Sequence, residues 1–565
     1  MEWLRDLAET KLDSRAIDET RTIPRDLIED LGNAGLFGMA IPTELGGLGL
    51  SHRDMQRVVG QLAAIDTTLG IFVGAAGLLA VRPILAAAPS SERDTMLRKI
   101  ASGKCLAAFA LTEPGAGSNP RALSMVARPD GAGRWRLSGR KWWIGSGSEA
   151  DVIITFCRLL NDDGTSPGIT AFAVSGDAPG LTCEREVPTM GLRGMVQAEL
   201  LFEDVPVDQS AMLGLPGEGF GIARDALAFG RLSLAFGAIG GMHRCIQLMH
   251  RYASRRTVGT GLLLDNPVTR TRLTKLIAKS EALDALISFV AESLDDGRTI
   301  PDEVYSVLKL ALEFHWEAAD LLVQMLGGRG YDEGNLAPQM LRDARVLRIF
   351  EGPNEVHEAA IGQALLNDGS ALPHVLSREL GNVEEAEALT RLVTDIKSHG
   401  VDPSTLMAAR HAPALAQAAL YGILSAALSH AALESKRGVD PEFVESMRQQ
   451  AASCRQSVIS SITESEPSSS AKITQWAAAK TTAFGDVEQG AASASLDPYL
   501  QRDPSAWQAL GHPGAPDASP GSSVSIAEQG HLIADAIADG TIAQVCRILA
   551  KVCAVPVSAI TPNSV

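Results

Sequence analysis

Cysteine is scarce and unpatterned in this 565-residue chain. Its seven thiols (Cys105, Cys157, Cys183, Cys245, Cys454, Cys546 and Cys553) show no C-x-x-C spacing and no histidine partnering. Neither a zinc site nor a disulfide framework is indicated, and reduced thiols in a cytoplasmic protein are expected. Positive charge is also in the minority: 50 Lys and Arg face 67 Asp and Glu, for a net charge of −17. With no basic, aromatic-interleaved patch to offset it, nucleic acid is excluded as a partner. No G-x-G-x-x-G follows a strand, and no G-x-x-x-x-G-K-[ST] occurs, so the chain lacks the signals of a Rossmann domain or a P-loop. The first residues, MEWLRD, hold acidic groups and no apolar run, unlike a signal or transit peptide. Two stretches lack charge. Residues 67–81 are too short to span a bilayer and end at Arg82-Pro83, and residues 412–433 include Gln417, Tyr421, Ser425, Ser429 and His430. Both read as buried helices, and no transmembrane segment is expected.

What the chain does have is apolar content, 45% of its residues, enough for a substantial core divided among about three to five domains. Residues 2–104 carry apolar positions at helical spacing, as in DLIEDLGNAGLF (26–37), with a Gly-rich turn, IPTELGGLG, at 41–49. From Leu106 to about Val207 short apolar runs alternate with Gly, Pro and Asn clusters. That texture predicts an antiparallel β domain with strands at 135–137, 152–157, 169–174 and 199–202. Helical patterning then returns to about Leu366. Within it, LRDARVLRIFEGPNEVH (341–357) delivers Glu351, behind Ile349 and Phe350, onto a Gly352-Pro353 break. Apolar surroundings raise a carboxyl pKa toward neutrality, as a general base requires, and the break leaves a backbone N–H free for a substrate oxygen. On these residues alone, a general base and an ordinary helix-end glutamate are both open readings.

The string RDARVLRIFEG resembles the base-carrying segment of the acyl-CoA dehydrogenase family, in which this Glu removes the proton α to a thioester carbonyl. FALTEPGAGS (109–118) resembles the family's flavin-binding loop at nearly every position. The resemblance implies FAD contacts from Phe109, Ala110, Leu111, Thr112, Gly117 and Ser118, with Thr112 on the pyrimidine edge and Ser118 also lining the pantetheine channel. KWWIGSG (141–147) is similar to the strand beside the flavin, which implies roles for Trp143, Ile144 and Gly145. Gly145 stands where most members place Thr or Ser next to flavin N5. In MGLRGMVQAELLFEDV (190–205) the polar grouping that members use near the CoA phosphates is replaced by Met195, Val196 and Gln197. Arg231 matches a family Arg on the substrate side, together with Glu351 and Gly352. Gly230 occupies the place where some branches carry their catalytic Glu, so Glu351 has no competitor. SRRTVG (254–259) and QMLGGRGY (324–331) resemble segments that reach the FAD diphosphate across a subunit interface. This implies cofactor contacts from Arg255, Thr257, Asn266, Gln324, Gly327, Gly328, Pro353 and Glu355, and a homodimer.

The implied fold is mainly α with a central antiparallel β domain: an N-terminal helical domain (1–105), a β-barrel-like middle domain (106–212) and a four-helix-bundle domain (213–369). Residues 370–510 form a helical extension, in which KRGVDPEFVES (436–446) is similar to the very-long-chain branch. Residues 511–527 have the composition of a linker. Within 528–565, an apolar stripe at Ile542, Val545, Leu549 and Val552 precedes AVPVSAITP (554–562), resembling the first helix and loop of an acyl or peptidyl carrier domain, as if taken from a multidomain synthase. The expected activity is FAD-dependent desaturation of an acyl thioester, carried by a phosphopantetheine arm or by CoA, with electron-transfer flavoprotein or another acceptor taking the electrons. An acyl-CoA dehydrogenase of β-oxidation, a flavin acyl oxidase and a catalytically silent docking module remain as alternatives. No metal is expected.

Overall fold

Four helix starts in the N-terminal region are written into the sequence as side-chain caps. Asp13, Ser51, Asp66 and Ser90 each accept a backbone N–H from the first turn that follows, at Ala16, Asp54, Leu69 and Arg93. Such caps satisfy donors that a helix leaves unpaired. The computed structural model describes residues 1–131, 133–401, 408–434, 438–463 and 468–484. They fall in two compact units, Met1–Thr463 and a second beginning at Glu464, of which the helix Ser470–Phe484 is described. The linker at 511–527 and the carrier-like segment at 528–565 lie outside the described residues.

In the first unit, helices His52–Ile65 and Thr67–Gly74 pack against Gly219–Ala253, the longest helix of the bundle. Their approach is close enough that a Cβ on Gly240 would stand 1.9 Å from the carbonyl oxygen of Gly60. Any side chain there would force the helices apart. Thr67–Gly74 continues through a π-helical turn, Ala75–Leu79, into Val81–Ala86.

The middle region is an eight-stranded sheet of β1 (Ala107–Ala110), β2 (Val126–Pro129), β3 (Arg134–Gly145), β4 (Val152–Leu159), β5 (Gly168–Ser175), β6 (Leu181–Glu186), β7 (Gln197–Asp208) and β8 (Met212–Leu213), in the order β6-β7-β3-β2-β4-β5-β8 with β1 on β4. The four expected strands lie within β3, β4, β5 and β7. The pairing is antiparallel except that β1 and β2 both run parallel to β4. Leu137, Ile153, Phe172 and Phe202 fill a core of the sheet's own.

Helices Pro267–Asp295, Asp302–Ala311, Glu313–Leu326 and Asn354–Leu366 complete the bundle. The expected extension is continuous with it as far as Thr463: Ala412–Leu433 packs on Pro267–Asp295, on Asn354–Leu366 and on Pro441–Thr463. At this seam the Lys279 ammonium pairs with Glu317 at 2.5 Å and lies 4.7 Å from the Phe314 ring centre and 5.6 Å from that of Tyr421. Among the described residues two helical runs, Thr67–Ala86 and Ala409–Leu433, are long and apolar enough to cross a membrane, and 72% of each apolar window is buried inside the protein. A helix apolar on all sides is satisfied by such a position in a core.

Candidate active site

Glu351 sits between two helices rather than on one. After Ala337–Arg345 the chain makes a single 3₁₀ turn, Val346–Arg348, and restarts as Asn354–Leu366 behind Pro353. In between, Glu351 adopts φ +57° and Gly352 φ +87°. A left-handed glutamate costs roughly 1–2 kcal/mol, so the surrounding contacts must impose it. Those contacts hold its carbonyl oxygen: His357 Nε2 donates to it at 3.0 Å and Arg231 Nε approaches at 3.5 Å. The Glu351 N–H has no acceptor among the described residues.

His357 and its neighbours come as two facing pairs at helical i, i+3 spacing. On Asn354–Leu366, Asn354 and His357 meet Lys309 and Ser306 of Asp302–Ala311. His357 Nδ1 lies 3.1 Å from Ser306 Oγ, and Lys309 Nζ donates to Asn354 Oδ1 at 3.1 Å and to the Leu347 carbonyl at 2.7 Å. Burial lowers the His357 pKa to about 4, so the ring is neutral near pH 7. Donating to a carbonyl through Nε2 leaves Nδ1 to accept from the serine. Burial also brings Lys309 down to about 8, against the pull of Glu351. Sequence reasoning missed Ser306, Lys309, Asn354 and His357. Polar residues three apart in the apolar run 304–312 were the available signal.

The carboxylate itself is nearly without support. Its Oε2 is shielded from solvent and has no hydrogen-bond partner, although the residue as a whole is half-buried. Desolvation raises its pKa to about 7, opposed by the charges of Arg231 and Lys309. It faces Gly230: a Cβ there would lie 3.6 Å from the Glu351 carboxyl carbon and 3.0 Å from Leu79 Cδ1. The two alternative base positions therefore border one space, and the glycine leaves it open beside Glu351.

The expected flavin loop is built on a buried ion pair. Lys141, with no exposure, donates to Glu113 Oε1 at 2.8 Å and to the Leu111 carbonyl at 3.0 Å. Glu113 also accepts from the Ser124 N–H and hydroxyl and from Met125 N–H. Burial pushes the Glu113 pKa up, but Lys141 and these donors hold it below its ordinary value. Trp142 N donates to Thr112 O at 2.9 Å, tying the loop to β3. There the ladder with β7 bulges between Lys141 and Ile144, burying Trp142 and turning out Trp143, which is 53% exposed at φ +58°. Ala110, Leu111 and Ile144 are buried, so their backbones alone can serve a ligand, whereas Phe109 and Thr112 are partly open and Gly117 and Ser118 are exposed.

Two groups are thus assembled: Phe109–Ser118 with Trp143–Gly145, and Arg231 with Glu351 and Gly352. Of the remaining candidates, Pro353 and Glu355 follow the Glu351 turn directly, and the others stand elsewhere on the surface. Arg255 and Thr257 are exposed before the small hairpin of Thr257–Val258 with Gly261–Leu262, and the Asn266 Oδ1 caps Pro267–Asp295 through Val268 N–H at 2.9 Å. Gln324, Gly327 and Gly328 end Glu313–Leu326 and are exposed, as is Glu355, while Pro353 is half-buried. The donor set fits FAD. The Thr112 hydroxyl has no partner among the described residues, and open space lies where a Cβ would stand on Gly117, Gly327 and Gly328, so their backbones can approach a diphosphate or a ring. No cluster of His, Cys, Asp or Glu among the described residues could hold a metal ion.

Family models for the N-terminal, middle and C-terminal domains of acyl-CoA dehydrogenase match residues 1–104, 108–205 and 217–366. The probable acyl-CoA dehydrogenase FadE10 of Mycobacterium tuberculosis is 31% identical over 373 residues, covering 64% of this chain and 57% of its own length. The match thus spans little more than half of that relative. The butyryl-CoA dehydrogenase structure from Megasphaera elsdenii is similar with a TM-score of 0.61 and 28% identity, over 65% of this chain and 96% of that one. An acyl-CoA dehydrogenase complexed with FAD, from Bacillus anthracis, reaches over 86% of this chain and 94% of its own, with a TM-score of 0.68; at 21% identity it shows a shared fold. Three domain models in the family's order, covering well over half of the sequence, establish that the chain belongs to the acyl-CoA dehydrogenase family.

Proposed function

We propose that this chain desaturates an acyl thioester between its α and β carbons, with FAD as cofactor and Glu351 as the base. The observation that carries the reading is the Glu351 carboxylate: solvent-shielded, unpartnered at Oε2, raised to about pKa 7, and facing the space left by Gly230. A carboxylate so placed takes the α proton without first breaking a hydrogen bond. Its own N–H, left free by the turn, is positioned to bind the thioester carbonyl as negative charge develops there. One such donor is typically worth about 3 kcal/mol of transition-state stabilisation. His357 and Arg231 hold the carbonyl of the same residue and so restrain the backbone on the other side of its Cα. The 109–118 loop and Trp143 would hold FAD, which would supply the acceptor for the β hydrogen and its electron pair.

The finer proposal is that the acyl group rides on the phosphopantetheine arm of a carrier protein, in a cytoplasmic biosynthetic assembly line. Met195 is buried, and Gln197 Nε2 turns back to the Met195 carbonyl at 3.4 Å, so the segment offers little to a nucleotide phosphate. The carrier-like string at 542–562 points the same way. A homodimer completes the proposal, with electrons passing to electron-transfer flavoprotein or another acceptor. Exposed Trp143, Leu262 and Tyr331, the last at 87%, are apolar surface such an assembly would cover.

Anaerobic flavin reduction by acyl thioester tests the base. Glu351→Gln is expected to keep FAD and lose at least about 10²-fold in reduction rate, and a near-wild-type rate sinks the assignment. With one acyl chain offered on a carrier or on CoA, kcat/KM is expected to favour the carrier. Equality or preference for CoA returns the enzyme to ordinary acyl-CoA chemistry, and rapid reoxidation in air identifies an oxidase.

A further inference from the structure

Gly145 has no backbone reason to be glycine. Its φ is not positive, and it ends β3, just past the bulge, paired with Gln197. The reason lies in the side chain opposite. A Cβ on Gly145 would stand 2.3 Å from Met195 Cε, 3.7 Å from its Sδ and 3.5 Å from Gln197 Nε2. Met195 is 7% exposed, and its main chain is held from both directions: its N–H bonds the Leu192 carbonyl at 3.0 Å, Leu192 N–H bonds the buried Asp343 carboxyl at 2.6 Å, and Ser146 N–H bonds the Val196 carbonyl at 2.8 Å. The thioether therefore fills the volume that a side chain on β3 would otherwise occupy, two residues along from the outward-turned Trp143.

We propose that Gly145 and Met195 act as one complementary pair that shapes the wall against the reacting edge of the cofactor, with Met195 as a positioning residue. The proposal rests on the flavoenzyme reading above. In place of a hydroxyl it puts an apolar, polarisable methyl sulfide, a group that packs well against flat aromatic edges. The same side chain belongs to the segment whose polar nucleotide contacts are missing. One residue thus accounts for both departures: Met195 withdraws the polar group from the substrate side and makes any side chain at 145 an intruder. The site that results is drier and less able to donate a hydrogen bond at that edge. Met195 itself takes no part in bond breaking.

The test is a double-mutant cycle on the purified full chain with FAD itself as the probe. FAD dissociation from the apoprotein, the visible absorption bands of the bound cofactor, and the apoprotein melting temperature are read for Gly145→Ser, Met195→Ala and the double variant. Gly145→Ser alone forces the thioether out, and FAD should bind about tenfold or more weaker. Met195→Ala adds no bulk, and it should shift the visible bands of bound FAD because the wall has been removed. In the double variant the serine enters the vacated volume, and FAD affinity should return to within about threefold of wild type. Wild-type affinity in Gly145→Ser, unchanged bands in Met195→Ala, or a double variant no better than Gly145→Ser each overturns the proposal. Were the wild-type chain to bind no FAD, the flavoenzyme reading would fail instead. The apoprotein melting temperatures would then still report whether 145 and 195 share one volume.

Discussion

Glu351→Gln should separate catalysis from stability, because the feature that makes Glu351 a base also makes it a burden to the fold. Its carboxyl ionises near 4.5 in an unfolded chain and at about 7 here, chiefly because burial penalises the charge. Over that interval the folded state keeps a proton that the unfolded state has lost, so stability falls as pH rises from the lower value to the higher and stays reduced above it. At about 1.4 kcal/mol per pKa unit the full difference is roughly 3 kcal/mol, and water penetration and relaxation bring a realistic expectation to about 1–3 kcal/mol. The glutamine does not titrate. Whatever its amide costs to bury is the same at every pH and cancels in the comparison. Thermal unfolding of the apoproteins, at about pH 5 and again at about pH 8.5, should show the variant gaining roughly 1–3 °C on wild type between the two conditions. All other titrating groups are common to both proteins. If the two melting curves keep a constant separation across this range, the carboxylate is not desolvated and the base assignment loses its physical ground.

Two further outcomes follow from the same geometry. Lys309→Met removes a buried positive charge that holds the Glu351 pKa down, so the pH at which anaerobic flavin reduction is half-maximal should move to the alkaline side by about 1–2 units. An unmoved or acid-shifted profile would show that the two groups are uncoupled. In light scattering the yellow protein should run at twice the 59.6 kDa chain mass, and a monomer retaining its flavin would contradict the interface reading of Arg255 and of 324–328.

The base was legible because the catalytic string is local: a glutamate behind two apolar residues and before Gly-Pro says most of what matters. Its surroundings were not, since Ser306 and His357 are 51 residues apart and Lys309 and Asn354 are 45 apart. Only the packing of two helices brings those pairs together. Among the strands, β4 and β5 announced themselves by apolar runs that the fold buries almost completely. β6 is an exposed edge strand of polar character, and β8 has two residues, too few for any alternation to register. Parallel pairing of β1 and β2 with β4 joins segments separated by other chain, and no local pattern encodes that choice. Gly145 was visible as a departure, but its cause lies across the sheet in Met195 and depends on register.

Around Glu351 the polar groups are committed to one another: Lys309 to Leu347 and Asn354, His357 to Ser306 and to the Glu351 carbonyl, Asn354 onward to Glu313 at 3.1 Å. What they leave free is one carboxylate oxygen and one N–H of the same residue. A base and an oxyanion donor borne by a single residue keep a fixed relation, provided its backbone cannot turn about the N–Cα bond. The left-handed φ at Glu351, clamped through its carbonyl, supplies that rigidity. The committed residues therefore matter to the chemistry without touching a reacting atom: each removes a degree of freedom from the one residue that does.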